Sequence, residues 1–183
     1  MDGELWKFEE CGVDAPLPDN YPPPTPIDCV EIKTYPSERV AILDSRDLWL
    51  RYLFRLERGF WNLFNHISRK NLRFLCPVIM TYYQEPVLRT NEFKMIFVYR
   101  RKDIGSVGDE DFPVRVIDRA PVTFLSLGFT FEDFCEKEQP EKEAILRNIM
   151  TTLVPEAWEF VPGGEPRILN YNGPYVKPKW AEI

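Results

Sequence analysis

Short runs of apolar residues indicate β-strands along most of the chain beyond residue 28. In Phe93–Tyr99 the alternation of a strand puts Phe93, Met95, Phe97 and Tyr99 on one face. The nearly continuous apolar run Cys76–Tyr83 is typical of a strand covered on both faces. The complete set of predicted strands is Cys29–Tyr35, Arg39–Leu43, Cys76–Tyr83, Phe93–Tyr99, Phe112–Asp118, Pro121–Phe129, Arg167–Tyr171 and Lys177–Ile183.

Two longer segments have the three- and four-residue spacing of amphipathic helices. The first follows the N-cap residues Asp44 and Ser45 and ends near Asn71. The second begins at Pro140 and stops at Pro155. The apolar stripes are Trp49, Tyr52, Leu53, Leu56, Phe60, Leu63, Phe64 and Ile67 in the first helix, and Ile145, Leu146, Ile149, Met150 and Leu153 in the second.

The order of these elements is strand, strand, helix, strand, strand, and it then repeats. We therefore predict an α+β fold made of a duplicated ββαββ unit. The two units would form a twisted antiparallel sheet or a distorted β-barrel with two packed helices, because each helix must bury its apolar stripe.

The segment before the first strand is rich in proline, with six of the 17 prolines between Pro16 and Pro26. Proline fixes φ and removes a backbone donor, so this stretch is predicted to be extended. We assign residues 1–28 to a proline-rich N-terminal arm and residues 29–183 to the domain, which we expect to fold without the arm. A linker or wrap-around arm is favoured over an SH3 or WW ligand.

Length and charge narrow the class of protein. A chain of 183 residues with 44% hydrophobic residues can bury one core without disulfides or a structural metal. The net charge of −6 disfavours a surface that binds nucleic acid, since such affinity comes largely from Lys and Arg. No run approaches the ~20 apolar residues that span a bilayer, and the first residues lack a secretory signal pattern. We therefore expect a cytoplasmic protein.

Few residue patterns support catalysis. The four cysteines (Cys11, Cys29, Cys76 and Cys135) form no C-x-x-C pair and are predicted to be free thiols. His66 is the single histidine, which excludes a zinc centre built on two or three histidines. Neither glycine-rich phosphate-binding motif occurs. Because spacing alone identifies no carboxylate pair and no nucleophile with its base, we expect a protein that is not an enzyme.

Several segments resemble, in the same order, motifs of the SOUL or haem-binding-protein family. VEIKTYP at Val30–Pro36 is similar to the opening Y-E-I-R-x-Y motif, and GFWNLFNHISRKN at Gly59–Asn71 resembles the helix motif a-F-x-x-L-F-x-Y-I-x-G-x-N. LCPV at Leu75–Val78 lies where the family has M-T-A-P-V. The resemblance runs from about Val30 to the C-terminus.

Two further segments complete the resemblance. FPVRVIDRAPVTFLSLGF at Phe112–Phe129 is similar to the strand pair before the family's R-F-x-G turn, and YNGPY at Tyr171–Tyr175 with W-x-E-I at Trp180–Ile183 resembles its C-terminal motifs. The family implies a duplicated α+β barrel shared with bacterial multidrug-sensing domains. Several members bind haem or other tetrapyrroles in an apolar depression beside the first helix, and others have been linked to Bcl-type partners.

The first helix carries the residues that we assign to such a ligand. Leu50, Phe54 and Trp61 lie to one side of the main apolar stripe and would form a flat apolar wall for a macrocycle, unless the helix simply buries two faces. Arg55 and Arg58 lie on the face opposite the stripe and would pair with propionates, unless that face is only solvated.

His66 is predicted to lie at the boundary between core and solvent and takes the place of the family's usual helix tyrosine. A neutral imidazole suits an axial haem ligand, whereas the alternative is a partly exposed, hydrogen-bonded side chain. Cys76 is the rival iron ligand, or a small core residue. The predicted function is thus haem or tetrapyrrole binding, with Leu50, Phe54, Arg55, Arg58, Trp61 and His66 as cofactor-binding residues and His66 as the metal ligand.

The alternative function is a protein-interaction module. The residues Phe74, Leu75 and Cys76 depart from the family pattern where the ligand depression would lie. A chain that has lost ligand binding would offer a protein partner the first helix or the proline-rich arm.

Overall fold

The computed structural model describes residues 6–8, 11–48, 52–82, 92–130, 132, 144, 167–173 and 179–183. Within these ranges the chain forms eleven strands and one α-helix, with a 3₁₀ turn at Ser45–Asp47 before the helix. The helix is α1 (Tyr52–Arg69), and the strands are β1 (Trp6–Phe8), β2 (Cys11–Val13), β3 (Val30–Tyr35), β4 (Glu38–Asp44), β5 (Val78–Tyr82), β6 (Phe93–Val98), β7 (Gly108–Asp111), β8 (Val114–Arg119), β9 (Val122–Thr130), β10 (Arg167–Asn170) and β11 (Trp180–Glu182).

One nine-stranded sheet organises the described residues, in the order β3-β9-β11-β10-β5-β6-β4-β8-β7. Every ladder between these strands is antiparallel. The short strands β1 and β2 form a separate hairpin. This sheet-dominated α+β fold confirms the predicted class. No ladder joins β3 to β7 in the described part of the chain, so the sheet is open and the predicted barrel form is wrong.

The two faces of the sheet are covered by different parts of the chain. α1 packs on one face, where Leu43, Leu63, Met95, Phe97 and Tyr99 belong to the same buried cluster. The N-terminal arm packs on the other face, where Val13 and Ala15 join Tyr35, Leu169 and Tyr171 in a second cluster. We call these the helix face and the arm face.

The predicted strands are all present with ends shifted by a few residues, whereas three short strands were not predicted. These are β1, β2 and β7, which have only three or four residues each. The start of the helix was also wrong. Asp44 caps the 3₁₀ turn, because its Oδ1 accepts a hydrogen bond from the backbone N–H of Arg46 at 2.9 Å. Leu48 after this turn is extended, so no α-helix continues from Ser45, and α1 is described from Tyr52 onward. Of the predicted second helix, which runs from Pro140 to Pro155, only residue 144 is described, and the rest of the prediction lies outside the described residues.

The arm is anchored to the domain by buried contacts. Val13 and Thr25 are fully buried, and the indole N–H of Trp180 donates to the carbonyl oxygen of Thr25 at 2.9 Å. The backbone N–H of Asp28 donates to the carbonyl of Gly128 at 2.8 Å. The boundary at residue 28 stays a prediction. None of the helices in the described ranges is both long and apolar enough to cross a membrane.

Candidate ligand-binding surface on the helix face

α1 lies close to the sheet because its inner side is apolar and includes a glycine. Leu63 is fully buried and Ile67 is 3% exposed. Gly59 is buried at the same contact, and a Cβ atom at this position would lie 3.4 Å from Cδ2 of Leu43. The helix is therefore held against β4, β6 and β8 by apolar contacts.

An aromatic cluster extends from this contact to the surface. The rings of Phe60 and Phe64 stack with centroids 6.0 Å apart, and Trp61 lies edge-on to each of them at 5.7 Å. Phe74 contacts both phenylalanines, at 6.0 and 6.2 Å, and Phe74 itself packs on Phe97 in the core. Because Trp61 remains 51% exposed, the cluster offers an aromatic surface to solvent. We call Phe60, Trp61, Phe64 and Phe74 the Trp61 surface.

The predicted arginines differ in their distance from this surface. At 100° per residue, Arg58 lies about 60° from Trp61 around the helix, whereas Arg55 lies about 120° away. Arg58 is exposed and Arg55 is half-buried. Arg58 is therefore the one of the two that borders the Trp61 surface. Leu50 and the side chain of Phe54 lie outside the described residues.

His66 does not lie at the boundary with solvent, as the helical spacing predicted, but is buried with 2% exposure. Its Nδ1 lies 2.6 Å from Oδ2 of Asp111, and its Nε2 lies 2.7 Å from the hydroxyl of Tyr99. The unpredicted strand β7 supplies Asp111, so both ring nitrogens are satisfied and the ring can be buried without penalty. Ligation of iron by His66 would require one of these hydrogen bonds to break.

The structure does not bring His66 and Trp61 together. They are five positions apart along the helix, which places them about 140° apart around α1. One side chain is buried toward β7 and β8 while the other faces solvent. The single site predicted from the sequence is therefore two separate places on the helix.

Asp111, His66 and Tyr99 form a chain of hydrogen bonds that runs from a carboxylate into the core. The hydrogen bond from His66 holds the pKa of Asp111 below its usual value, helped by Arg69, whose Nη2 lies 3.6 Å from Asp111 Oδ1. Burial raises the pKa of Tyr99 to about 12. The phenol of Tyr99 is therefore protonated at neutral pH. The two hydrogen bonds hold the imidazole of His66 in place and present no reactive phenolate.

A small cavity adjoins this chain, with a volume of about 150 Å³. His66, Tyr99 and Asp111 line it together with Lys70 and Ser106. Ligand pockets usually have volumes of roughly 300–1,000 Å³, so this cavity is too small for a tetrapyrrole.

The rival iron ligand Cys76 is a buried core residue, which was the alternative interpretation. It is 3% exposed, and its Sγ lies 3.1 Å from the carbonyl oxygen of Tyr171. Burial raises the pKa of its thiol to about 12, so the thiolate that binds metals is disfavoured. The prediction of free thiols is confirmed for Cys29 and Cys76. The residues that the structure describes contain no group of three or more His, Cys, Asp or Glu side chains arranged to hold a metal.

The most polar buried region of the structure was not predicted from the sequence. On the arm face, Glu182 is fully buried and accepts hydrogen bonds from Lys33 Nζ at 2.8 Å, the Tyr171 hydroxyl at 3.0 Å and the Tyr35 hydroxyl at 3.1 Å. The backbone N–H of Thr25 also donates to this carboxylate. The sequence signal that could have revealed this region is a charged residue on the same side of a strand as a buried aromatic residue. Lys33 is such a residue in VEIKTY, because it lies two positions before Tyr35.

Comparison with known proteins shows the fold but no family. No protein-family model and no curated protein matches this chain. Among solved structures, the crystal structure of the EcmrR C-terminal domain is similar with a TM-score of 0.56 at 9% identity, over 85% of this chain and 94% of that one. EcmrR in its cryo-EM complex with DNA is similar with a TM-score of 0.58 at 8% identity, over 85% of this chain and 55% of that one. At such identities the likeness shows a shared fold alone.

Proposed function

We propose that this protein binds a tetrapyrrole, haem or a related porphyrin, on the Trp61 surface and that it is not an enzyme. The observation that carries the proposal is the half-exposed indole of Trp61, held edge-on by Phe60 and Phe64. A macrocycle is recognised mainly by aromatic and aliphatic area, which this surface supplies at low entropic cost because its rings are already packed. The resemblance to the SOUL or haem-binding-protein family supports the same ligand class.

Arg58 is the residue that would pair with a propionate. Its guanidinium group is exposed and lies on the side of α1 next to Trp61. An exposed ion pair of this kind contributes less than the apolar contact, and we assign it to the orientation of the ligand. Iron ligation by His66 is a separate proposal, because this residue lies on another side of the helix and its nitrogens are engaged.

The proposal includes the duplicated ββαββ unit of the same family. The strand order supports it: exchanging β3, β4, β5 and β6 with β8, β9, β10 and β11 turns the order of these eight strands into its own reverse. An internal two-fold axis between β10 and β5 would have this effect. In this arrangement β7 is an addition to the second unit.

The test is a titration of the full chain with haem and, in parallel, with iron-free protoporphyrin IX. We expect saturable changes in the visible spectrum and quenching of tryptophan fluorescence with both ligands, at similar affinity, because apolar contact dominates. Trp61→Ala should weaken both about tenfold or more, which corresponds to the loss of one large aromatic contact.

Two further variants separate the contributions. Phe112→Ala is the matched control, since Phe112 is 67% exposed but lies in the turn between β7 and β8, and it should bind as the wild type does. His66→Ala addresses iron ligation: a change in the haem spectrum without a change in protoporphyrin affinity would support His66 as the ligand. Absence of saturable binding of either porphyrin by the wild type would overturn the proposed function and favour the protein-interaction module.

A further inference from the structure

Arg167 is a buried arginine whose terminal nitrogens have no hydrogen-bond partner among the described residues. It begins β10 and is 5% exposed. Neither Nη1 nor Nη2 makes a hydrogen bond within the part of the chain that the structure describes. A buried guanidinium without acceptors is costly, so this group calls for an explanation in terms of a ligand.

Two aromatic rings pack against this guanidinium. Its central carbon lies 3.5 Å from the ring centroid of Phe124 and 4.6 Å from that of Tyr35, within the range of cation–π attraction. Aromatic rings supply no strong hydrogen-bond acceptor, so Nη1 and Nη2 still lack acceptors among the described residues.

The charges near Arg167 do not cancel. Glu182 is paired with Lys33 at 2.8 Å, and Glu38 lies 3.3 Å from Nη1 of Arg119. The Tyr21 hydroxyl donates to the other oxygen of Glu38. Among the described residues here, three cations (Lys33, Arg119 and Arg167) and two carboxylates (Glu38 and Glu182) leave one positive charge, while Glu31, which also approaches Lys33, is 45% exposed and solvated. Burial lowers the pKa of Arg167, and the charge of Arg119 lowers it further.

One neighbouring group shares this lack of a hydrogen-bond partner among the described residues. Thr81 lies directly across the ladder from Arg167, on β5, and its buried hydroxyl makes no hydrogen bond to any described residue. Arg119 differs, because its Nη1 lies 3.3 Å from Oε1 of Glu38. Unused donors from two paired strands, β5 and β10, thus occur side by side on the arm face.

We infer that Arg167, with Thr81, forms a binding site for the carboxylate of a small organic acid. A carboxylate presents two oxygens in the plane of the guanidinium and matches the free Nη1 and Nη2 donors. As a monoanion it would neutralise the single excess charge, whereas a phosphate dianion would leave a buried negative charge. The aromatic rings of Phe124, Tyr35 and Tyr21 favour an acid with an apolar or aromatic body.

The experiment compares organic and inorganic anions at constant ionic strength on the full chain. We expect benzoate, and more weakly acetate, to raise the melting temperature in a saturable manner and to give one-site binding in calorimetry. Sodium chloride should give no saturable shift, and inorganic phosphate should be weaker than benzoate. Saturable phosphate binding that equals or exceeds benzoate binding would overturn the assignment to carboxylates.

Substitutions locate the site. Arg167→Met should abolish the benzoate effect, while Arg115→Met, a strand arginine that is half exposed on β8, should keep it. If Arg167→Met fails to fold, Arg167→Lys keeps the charge but loses the two-pronged donor and should bind benzoate at least about tenfold more weakly. Benzoate binding that is unchanged by these Arg167 variants, or absent in the wild type, would overturn the inference.

The site is independent of the proposed tetrapyrrole surface. Arg167 and Leu169 alternate along β10 with Ile168, and only Ile168 belongs to the cluster beneath α1. Because the two sites lie on opposite faces of the sheet, loss of porphyrin binding in Trp61→Ala leaves the benzoate test unaffected. Absence of porphyrin binding therefore does not imply absence of benzoate binding, and the reverse also holds.

Discussion

The two faces of the sheet are stabilised in different ways. On the helix face the buried side chains are almost all apolar, with Leu63, Phe93, Met95 and Phe97 beneath α1. On the arm face, charged residues are buried among aromatic ones, with Lys33, Glu38, Arg167 and Glu182 all no more than 5% exposed. Truncating an apolar side chain lowers the free energy of unfolding in proportion to the apolar area that is lost, whereas removing one partner of a buried ion pair leaves an unpaired charge, which costs more. The arm face should therefore be the more sensitive to single substitutions.

The largest expected effect is at Glu182 on the arm face. Glu182→Gln keeps the size of the side chain but removes the charge that Lys33 contacts at 2.8 Å. Because Lys33 would stay buried without its main counter-charge, we expect a loss of about 3–5 kcal/mol in the free energy of unfolding, measured by urea denaturation. The control is Asp118→Asn at the exposed pair with Arg39, which should cost much less. An equal loss in the two variants would contradict the comparison.

On the helix face the matching substitution is Leu63→Ala. Leu63 is fully buried beneath α1, and the truncation leaves a cavity that the sheet cannot fill. We expect a loss of about 3 kcal/mol by the same measurement. Leu63→Met conserves most of the volume and should cost less than about 1.5 kcal/mol. If Leu63→Ala cost no more than Leu63→Met, α1 would not pack on the sheet as described.

The buried positions of several elements could be predicted from local sequence patterns. The alternation in Phe93–Val98 correctly placed Phe93, Met95 and Phe97 on the helix face, and the apolar stripe of α1 correctly identified Leu63 and Ile67 as core residues. These predictions hold because each depends on the periodicity of one element. The same periodicity could not show that the N-terminal arm would pack on β3 and bury the side chains of its arm face. There Lys33 and Tyr35 are buried while Ile32 is 47% exposed, the reverse of what hydrophobicity predicts.

The candidate sites depend on contacts between distant segments, which spacing does not reveal. His66 was assigned to the boundary between core and solvent from its position beside the apolar stripe of the helix. The GDED segment of β7 has no strand pattern, so the carboxylate of Asp111 that allows this ring to be buried could not be anticipated. Arg167 appears in the sequence as an ordinary strand residue. Its lack of partners follows only from the register of β10 against β5 and from the positions of Phe124 and Tyr35 on other elements.

Two glycines give a smaller contrast between the faces. A Cβ atom at Gly128 would overlap the backbone carbonyl oxygens of Thr25 and Pro26 in the arm, which side-chain movement cannot relieve. We expect Gly128→Ala to cost about 1–3 kcal/mol and to increase hydrogen exchange at Asp28, whose N–H donates to the carbonyl of Gly128.

Gly59→Ala is the matched variant on the helix face. The added methyl group would meet only the side chains of Leu43, Met95 and Phe93, at 3.4 Å or more, and alanine favours the helix. The change in the free energy of unfolding should stay within about 1 kcal/mol. A destabilised Gly59→Ala with an unaffected Gly128→Ala would reverse the assignment of the tighter contact to the arm.

The smallest effect concerns a charged group on the helix face, Asp111, which contacts His66 of α1. Its hydrogen bond with His66 lowers its pKa in the folded protein, so ionised Asp111 stabilises the fold at pH values above the unfolded pKa of ~3.9. This contribution is lost as the pH falls through the lower, folded pKa. Asp111→Asn should therefore cost at most about 1 kcal/mol near neutral pH, after allowance for solvent screening, and the difference from wild type should shrink below about pH 4. Urea denaturation at a series of pH values measures this difference, with Asp103→Asn, 71% exposed, as the control. A difference that persists unchanged into acid would mean that Asp111 acts through the shape of the β7 contact and not through its charge.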